Sequence, residues 1–157
     1  MSPGYLFRPM QAGDLPQIAC WLAMPHVREW WGDPAEQYAL VSGDLSEPAM
    51  DQYLVELDGR AFAYLQCYDL TSWNSGFGAQ PKGTRGIDVF IGEPDMIGHG
   101  SAFIGHFVKD RVWRIVTDPD PANLRAIRAY EKAGFARDRV VKTPDGPALL
   151  MVHDPLD

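Results

Sequence analysis

The amino-terminal part of the chain carries apolar side chains mostly at the spacing of α-helices. A short apolar run at 5–10, YLFRPM, predicts a strand, and Asp14 in the next turn is expected to cap a helix that has Pro16 in its first turn. A further proline interrupts the pattern before a second helical stretch, HVREWW at 26–31. Residues 34–48 predict another short helix followed by a loop.

The pattern then changes to that of β-strands. Two apolar or alternating runs at 53–57 and 61–68 flank Asp58 and Gly59, a dipeptide typical of tight hairpin turns. Residues 71–84 are rich in Gly, Ser and Pro without any period, which predicts a loop over a functional face. The run RGIDVFIG at 85–92 predicts the next strand.

The remainder alternates between helix and strand. The predicted helices cover 98–111 and 123–134, and the predicted strands cover 113–118, 135–143 and 147–153, with the turn TPDG at 143–146 between the last two. Because there is no internal repeat, linker or low-complexity tract, we expect one mixed α/β domain over residues 1–157.

Composition narrows the classes of function. Apolar residues make up 46% of the chain, but no apolar run approaches the roughly 20 residues that span a bilayer, so we expect a cytoplasmic protein that does not act at a membrane. The net charge of −7 disfavours nucleic acid and suits a cationic partner, although mild acidity can also serve solubility alone. The two cysteines and four histidines show no metal-ligand spacing, so we expect neither a disulfide framework nor a metal.

A glycine turn, IGHGSA at 97–102, separates the strand at 85–92 from the helix after it. Such a turn binds phosphate because exposed N–H groups and the positive end of the helix dipole face the anion. The spacing is neither a dinucleotide-binding GxGxxG nor a P-loop, which disfavours nicotinamide cofactors and nucleoside triphosphates. The alternative is a turn that only reverses the chain.

Two segments resemble the GNAT superfamily of acyl-CoA N-acyltransferases. The turn resembles its [R/Q]-x-x-G-x-[G/A] motif, except that Ile97 replaces the Arg or Gln, and NLRAIRAYEKAGF at 123–135 resembles its last helix. The resemblance implies an α/β fold whose mixed, mostly antiparallel central sheet is flanked by helices and splayed at the acetyl-CoA site. It also implies that Asn123 contacts pantetheine and that the pyrophosphate binds the backbone amides of Gly98, His99, Gly100, Ser101 and Ala102.

The same resemblance brings Tyr130 near the sulfur of CoA. A departing thiolate needs a proton, and a phenol with a pKa of about 10 can supply one, so Tyr130 is the candidate general acid. The alternative is an aromatic side chain that only packs its helix. The backbone amide of Val89 or Phe90 is expected to polarise the thioester carbonyl, which the amine attacks directly.

A closer resemblance, to aminoglycoside 6′-N-acetyltransferases and their siderophore-acylating relatives, extends over most of the chain. It is carried by EWWG at 29–32, RGID at 85–88 and TDPDPANLRAIRAYEKAGF at 117–135. It implies that Asp88 is the base or orienting group for the amine and that Asp118 holds the aminoglycoside. The alternatives are a solvent-facing or arginine-paired Asp88, and an Asp118 that caps the next helix or stabilises its turn.

Aromatic side chains are candidates for the walls of the acceptor cleft, because flat rings cover the apolar faces of sugars. Trp31 and Trp73 are predicted there, while Trp30, Tyr64 and Tyr68 are left to packing. The loop at 71–84 lacks the acidic residues and paired tryptophans of the better-known 6′-acetyltransferases.

The acceptor predicted for the chain is therefore a primary amine of a cationic small molecule, most specifically the 6′-amine of an aminoglycoside. The other hypotheses are acylation of a hydroxylysine-type siderophore precursor and a non-catalytic protein that sequesters a drug or CoA. A monomer and a homodimer both fit the sequence.

Overall fold

The computed structural model describes residues 4–73 and 76–155. They form two compact units. The first comprises the chain through Gln66 together with Val89–Gly98, and the second comprises Cys67–Asp88 together with the chain from His99 onwards. No helix within the described ranges is long and apolar enough to cross a membrane.

Within the described residues, seven strands form one sheet, which confirms the predicted α/β class. They are hydrogen-bonded in the order β1-β2-β3-β4-β5-β7-β6, and β4 pairs with β5 in parallel whereas β1 with β2, β5 with β7 and β6 with β7 are antiparallel. Strands β3 and β4 contribute residues to both units. The bounds are β1 Tyr5–Pro9, β2 Met50–Leu57, β3 Arg60–Asp69, β4 Arg85–Ile91, β5 Ile115–Thr117, β6 Ala136–Thr143 and β7 Gly146–His153.

In the described residues of the first unit there are three α-helices, α1 Leu15–Leu22, α2 Pro25–Trp31 and α3 Pro34–Asp44. Their apolar faces bury a core that includes Ile18 and Trp21. Asp14 is the N-cap residue of α1 and Pro16 lies in its first turn, as predicted, but the Asp14 side chain makes no capping hydrogen bond to this helix. Its carboxylate instead accepts two hydrogen bonds of 2.9 Å from the Arg8 guanidinium, a paired charge-assisted contact that adds geometric specificity as well as energy.

The hairpin between β2 and β3 is confirmed at the predicted dipeptide. Asp58 and Gly59 have φ angles of 52° and 80°, and two successive positive values are what the turn needs to match the twist of the strands. This hairpin brings β3 beside β2 in the sheet.

The second unit contains α4 Gly100–Val108 and α5 Leu124–Lys132. The predicted helix at 98–111 is shorter than expected, because residues 94–99 form a 3-10 helix and the α-helix begins only at Gly100. Strand β5 has three residues and pairs with β4 at only two positions, Arg85 with Ile115 and Gly86 with Val116. Backbone pairing between these parallel strands therefore stops early, as expected for a sheet that splays.

Candidate active site

Two carboxyl groups meet where β4 and β5 separate. Gly86 and Val116 are in register, and Asp88 and Asp118 each lie two residues farther along the chain, Asp88 within β4 and Asp118 directly after the end of β5. Their side chains share a hydrogen bond. Burial, the charge of Asp88 and this hydrogen bond raise the pKa of Asp118 to about 8. The two carboxyls therefore hold one proton between them at neutral pH, since adjacent carboxylates do not both ionise readily.

Tyr130 lies on α5 beside this acid pair. Its side chain is buried, and its ring meets Phe135 edge-on at 5.3 Å. Burial raises the pKa of the phenol above its ordinary value, the neighbouring Thr117 side chain lowers that pKa, and the charges of Asp88 and Asp118 raise it further. The phenol is therefore protonated at neutral pH, as a proton donor must be.

Tyr68, which the sequence analysis left to packing, is a neighbour of the acid pair. Its ring covers Gly86, where an added Cβ would lie 2.4 Å from Cζ and 2.6 Å from the hydroxyl oxygen of Tyr68. Burial, followed by the charges of Asp88 and Asp118, raises the pKa of this phenol well above its ordinary range. The sequence signal for this contact was Gly86 itself, because a glycine inside a strand often marks the close approach of another group.

The start of α4 keeps the features expected of an anion site. The N-cap residue His99 makes no side-chain capping bond, so no side chain of that residue occupies the first-turn amides of the helix. Gly98 is exposed, and a Cβ there would meet nothing within 4 Å. Ser101 is half-buried and Ala102 is exposed. Phosphate binding at 98–102 stays a prediction.

Asn123 has a structural task that the sequence analysis did not assign to it. It is the N-cap of α5, and its side-chain oxygen accepts a hydrogen bond of 3.3 Å from the amide of Ala126. Asp118 therefore does not cap this helix, which removes one alternative for that residue. Contact of Asn123 with pantetheine stays a prediction, for which the side-chain nitrogen offers two donors and the capping oxygen keeps a second lone pair.

Known proteins resemble this chain over most of its length. An acetyltransferase (GNAT) domain model matches residues 11–143. The chain belongs to the GNAT acetyltransferase family. It is 37% identical over 164 residues to the aminoglycoside N(6′)-acetyltransferase type 1 of Klebsiella pneumoniae and, equally, to that of Serratia marcescens, covering 93% of this chain and 81% of each relative.

Solved GNAT structures agree with this family assignment. The fold matches AAC(6′)-Ib in complex with paromomycin and acetyl-CoA, with a TM-score of 0.85, 34% identity and coverage of 96% of this chain and 93% of that one. It also matches AAC(6′)-Ib in complex with coenzyme A and kanamycin, with a TM-score of 0.82, 35% identity and coverage of 96% and 95%. The family and fold expected from the sequence are thus confirmed.

The aromatic residues of this GNAT chain divide between core and partly exposed positions. Trp31 is half-buried and meets Phe90 at 5.0 Å and Tyr64 at 6.2 Å between ring centroids. Tyr64 is fully buried and takes no part in a cleft wall. Trp73 is half-buried and meets Tyr68 edge-on at 6.3 Å. The substrate contacts of Trp31 and Trp73 stay predictions.

The second unit brings together Asp88, Asp118 and Tyr130 of the predicted site, whereas Trp31, Val89 and Phe90 belong to the first unit. Of the two strand residues proposed for the thioester, Val89 is half-buried and Phe90 is buried.

Within residues 4–73 and 76–155, no three His, Cys, Asp or Glu side chains are grouped so that they could hold a metal ion.

Proposed function

We propose that this GNAT protein transfers the acetyl group of acetyl-CoA to the 6′-amine of an aminoglycoside. The observation that carries the proposal is the hydrogen-bonded pair Asp88 and Asp118 beside the buried phenol of Tyr130. The pair offers negative charge to a cationic amine, and the phenol offers a proton to a leaving group. The proposal is supported by relatives that act on aminoglycosides and are 37% identical over nearly the whole chain.

The acid pair handles the protonated amine. An ammonium ion beside Asp88 and Asp118 replaces the shared proton as the balancing positive charge, so its arrival favours ionisation of both carboxyls. The ionised pair then attracts the ammonium and accepts one of its protons, directly or through a water molecule. The free amine that results is the nucleophile.

The cofactor half of the site uses mainly backbone groups. Acetyl-CoA, when bound, supplies an acetyl thioester, which amines attack without a covalent enzyme intermediate. The amides of 98–102 are assigned to the pyrophosphate, and those of residues 100–102 suit it because they belong to the first turn of α4. Asn123 is assigned to the pantetheine arm, and the amide of Val89 or Phe90 is assigned to the thioester oxygen.

Tyr130 serves as the general acid in this scheme. Its raised pKa keeps the proton on the phenol until a stronger base, the departing thiolate, approaches. Burial excludes bulk water from the phenol, so the transfer is not lost to solvent.

The proposal is tested by following release of free CoA thiol with kanamycin or tobramycin as acceptor and N-hydroxylysine as the competing acceptor class. We expect aminoglycoside turnover, and we expect Asp88→Asn and Tyr130→Phe each to lower kcat by about 10²–10⁴ while acetyl-CoA still binds. Asp110→Asn and Tyr38→Phe are matched controls outside the site. Absence of aminoglycoside turnover at millimolar concentration would exclude this acceptor, and unchanged rates in both site variants would exclude the assigned roles.

A further inference from the structure

The phenol end of Tyr68 occupies the place where a side chain at position 86 would project. A Cβ added at Gly86 would lie 2.4 Å from Cζ and 2.6 Å from the hydroxyl oxygen of Tyr68. Gly86 and Asp88 both belong to β4, and side chains two residues apart on a strand project from the same face. The hydroxyl of Tyr68 therefore lies on the face of β4 that carries the carboxyl of Asp88.

The spacing of the strand sets the distance between these two groups. Alternate residues are about 6.6 Å apart along a strand. The hydroxyl oxygen lies 2.6 Å from the Cβ position at 86, so it is roughly 4–9 Å from the Cβ of Asp88. A nitrogen that is about 3 Å from each of two oxygens fits between groups separated in this way.

The hydroxyl of Tyr68 has hydrogen-bonding capacity left for a ligand. Tyr68 is only 6% exposed, and within residues 4–73 and 76–155 no hydrogen bond reaches its hydroxyl. Its oxygen is nevertheless not one of the fully enclosed polar atoms that lack a partner, so it remains in contact with solvent. A buried side chain thus presents an unpaired polar tip beside a carboxyl, where such groups normally have partners.

We propose that the hydroxyl oxygen of Tyr68 accepts an N–H of the acceptor amine and, together with the acid pair, orients that amine for attack. The inference rests on the proposed function, in which Asp88 and Asp118 bind the amine and take one of its protons. A primary amine that has lost this proton keeps two N–H groups and one lone pair. When one N–H is donated to the acid pair and the other to Tyr68, the direction of the lone pair is fixed.

The protonation state of Tyr68 suits this task. Burial, followed by the charges of Asp88 and Asp118, raises the pKa of the phenol well above its ordinary range. The phenol is therefore neutral at neutral pH and, unlike a phenolate, does not take a proton from the ammonium. Its oxygen keeps lone pairs that can accept an N–H.

This contact selects for primary amines. A secondary amine with an N-methyl group has a single N–H after it loses a proton, so it cannot serve both the acid pair and Tyr68. The charged pair makes the stronger hydrogen bond, which leaves the methyl group facing Tyr68. We expect the wild-type protein to have a kcat/KM for kanamycin at least about tenfold above that for 6′-N-methylkanamycin, as for one lost hydrogen bond.

Tyr68→Phe tests the oxygen alone, because phenylalanine keeps the ring that covers Gly86 and meets Trp73. We expect kcat/KM to fall at least about tenfold for kanamycin and less than about threefold for the N-methyl acceptor, so the preference for the primary amine is largely lost. The KM for acetyl-CoA and the midpoint of denaturant unfolding should stay near the wild-type values. Tyr38→Phe, on α3, is the matched control and should leave both acceptors unaffected.

The inference is overturned if Tyr68→Phe lowers kcat/KM equally for both acceptors, since Tyr68 would then act by packing or on another step, or if it lowers neither. Kanamycin turnover by the wild-type protein, with unchanged selectivity in Tyr68→Phe, would remove this inference and leave the proposed function standing. Absence of kanamycin turnover by the wild-type protein would remove both. The two failures are therefore distinguishable.

Discussion

Replacing Asp118 with asparagine should make the protein more stable above neutral pH while impairing its activity. The protonated carboxyl of Asp118 hydrogen-bonds to Asp88, and an asparagine amide has nearly the same shape and can donate the same bond. Unlike the acid, the amide never ionises. The variant therefore keeps the contact but removes the like-charge repulsion from the pair.

The sign and size of the effect follow from the shifted pKa. An unfolded Asp118 loses its proton near its ordinary pKa of 3.8, whereas the folded protein keeps it to about 8. Between these values the folded state binds the extra proton, so the free energy of unfolding falls as pH rises, by at most about 1.4 kcal/mol per pH unit. Allowing for the partial hydration of a half-buried carboxyl, we expect about 2–4 kcal/mol of relative stabilisation in Asp118→Asn at pH 8.

The assay is denaturant unfolding of both proteins at pH 5, 6.5 and 8. The difference between variant and wild type isolates this group, because all other ionisable residues are shared. Asp110→Asn, which changes an exposed loop carboxyl, controls for loss of one negative charge. A difference in stability that does not grow between pH 5 and pH 8 would refute the shared proton.

Three further substitutions test individual contacts. Gly86→Ala should destabilise the fold by about 1–3 kcal/mol in denaturant unfolding, because the new Cβ overlaps the ring of Tyr68; unchanged stability would contradict that close approach. Gln52→Leu should cost about 1–3 kcal/mol in the same measurement, since it strips buried hydrogen bonds of 2.9 Å to the Val41 carbonyl and 3.0 Å to the Tyr64 hydroxyl. Asn123→Ala should cost about 1 kcal/mol as a lost cap and should raise KM for acetyl-CoA, whereas Asn123→Ser should restore only the stability; a KM that stays at the wild-type value in both would leave Asn123 as a cap alone.

Local patterns in the sequence were enough to predict the elements and the family. Alternating and helical periodicities predict the strands and helices, and Asp58 and Gly59 predict the hairpin turn, because these features depend on neighbours within a few residues. The segment at 123–135 indicates the family for a similar reason, since its cap, buried face and helix end all lie within one helix. Asp88 and Tyr130 were reached through such motifs.

Contacts between distant segments were decided only by the tertiary structure. Asp14 stands at the predicted N-cap position, but its carboxylate binds Arg8 and not the first-turn amides of the helix, because a local rule takes no account of a guanidinium on another element. The hydrogen bond between Asp88 and Asp118 and the close approach of Tyr68 to Gly86 both join residues far apart in the chain. A pKa depends on burial and on the charges that surround a group in space. The sequence therefore determined which chemical groups are present and on which elements they lie, whereas folding decided which of them share a proton.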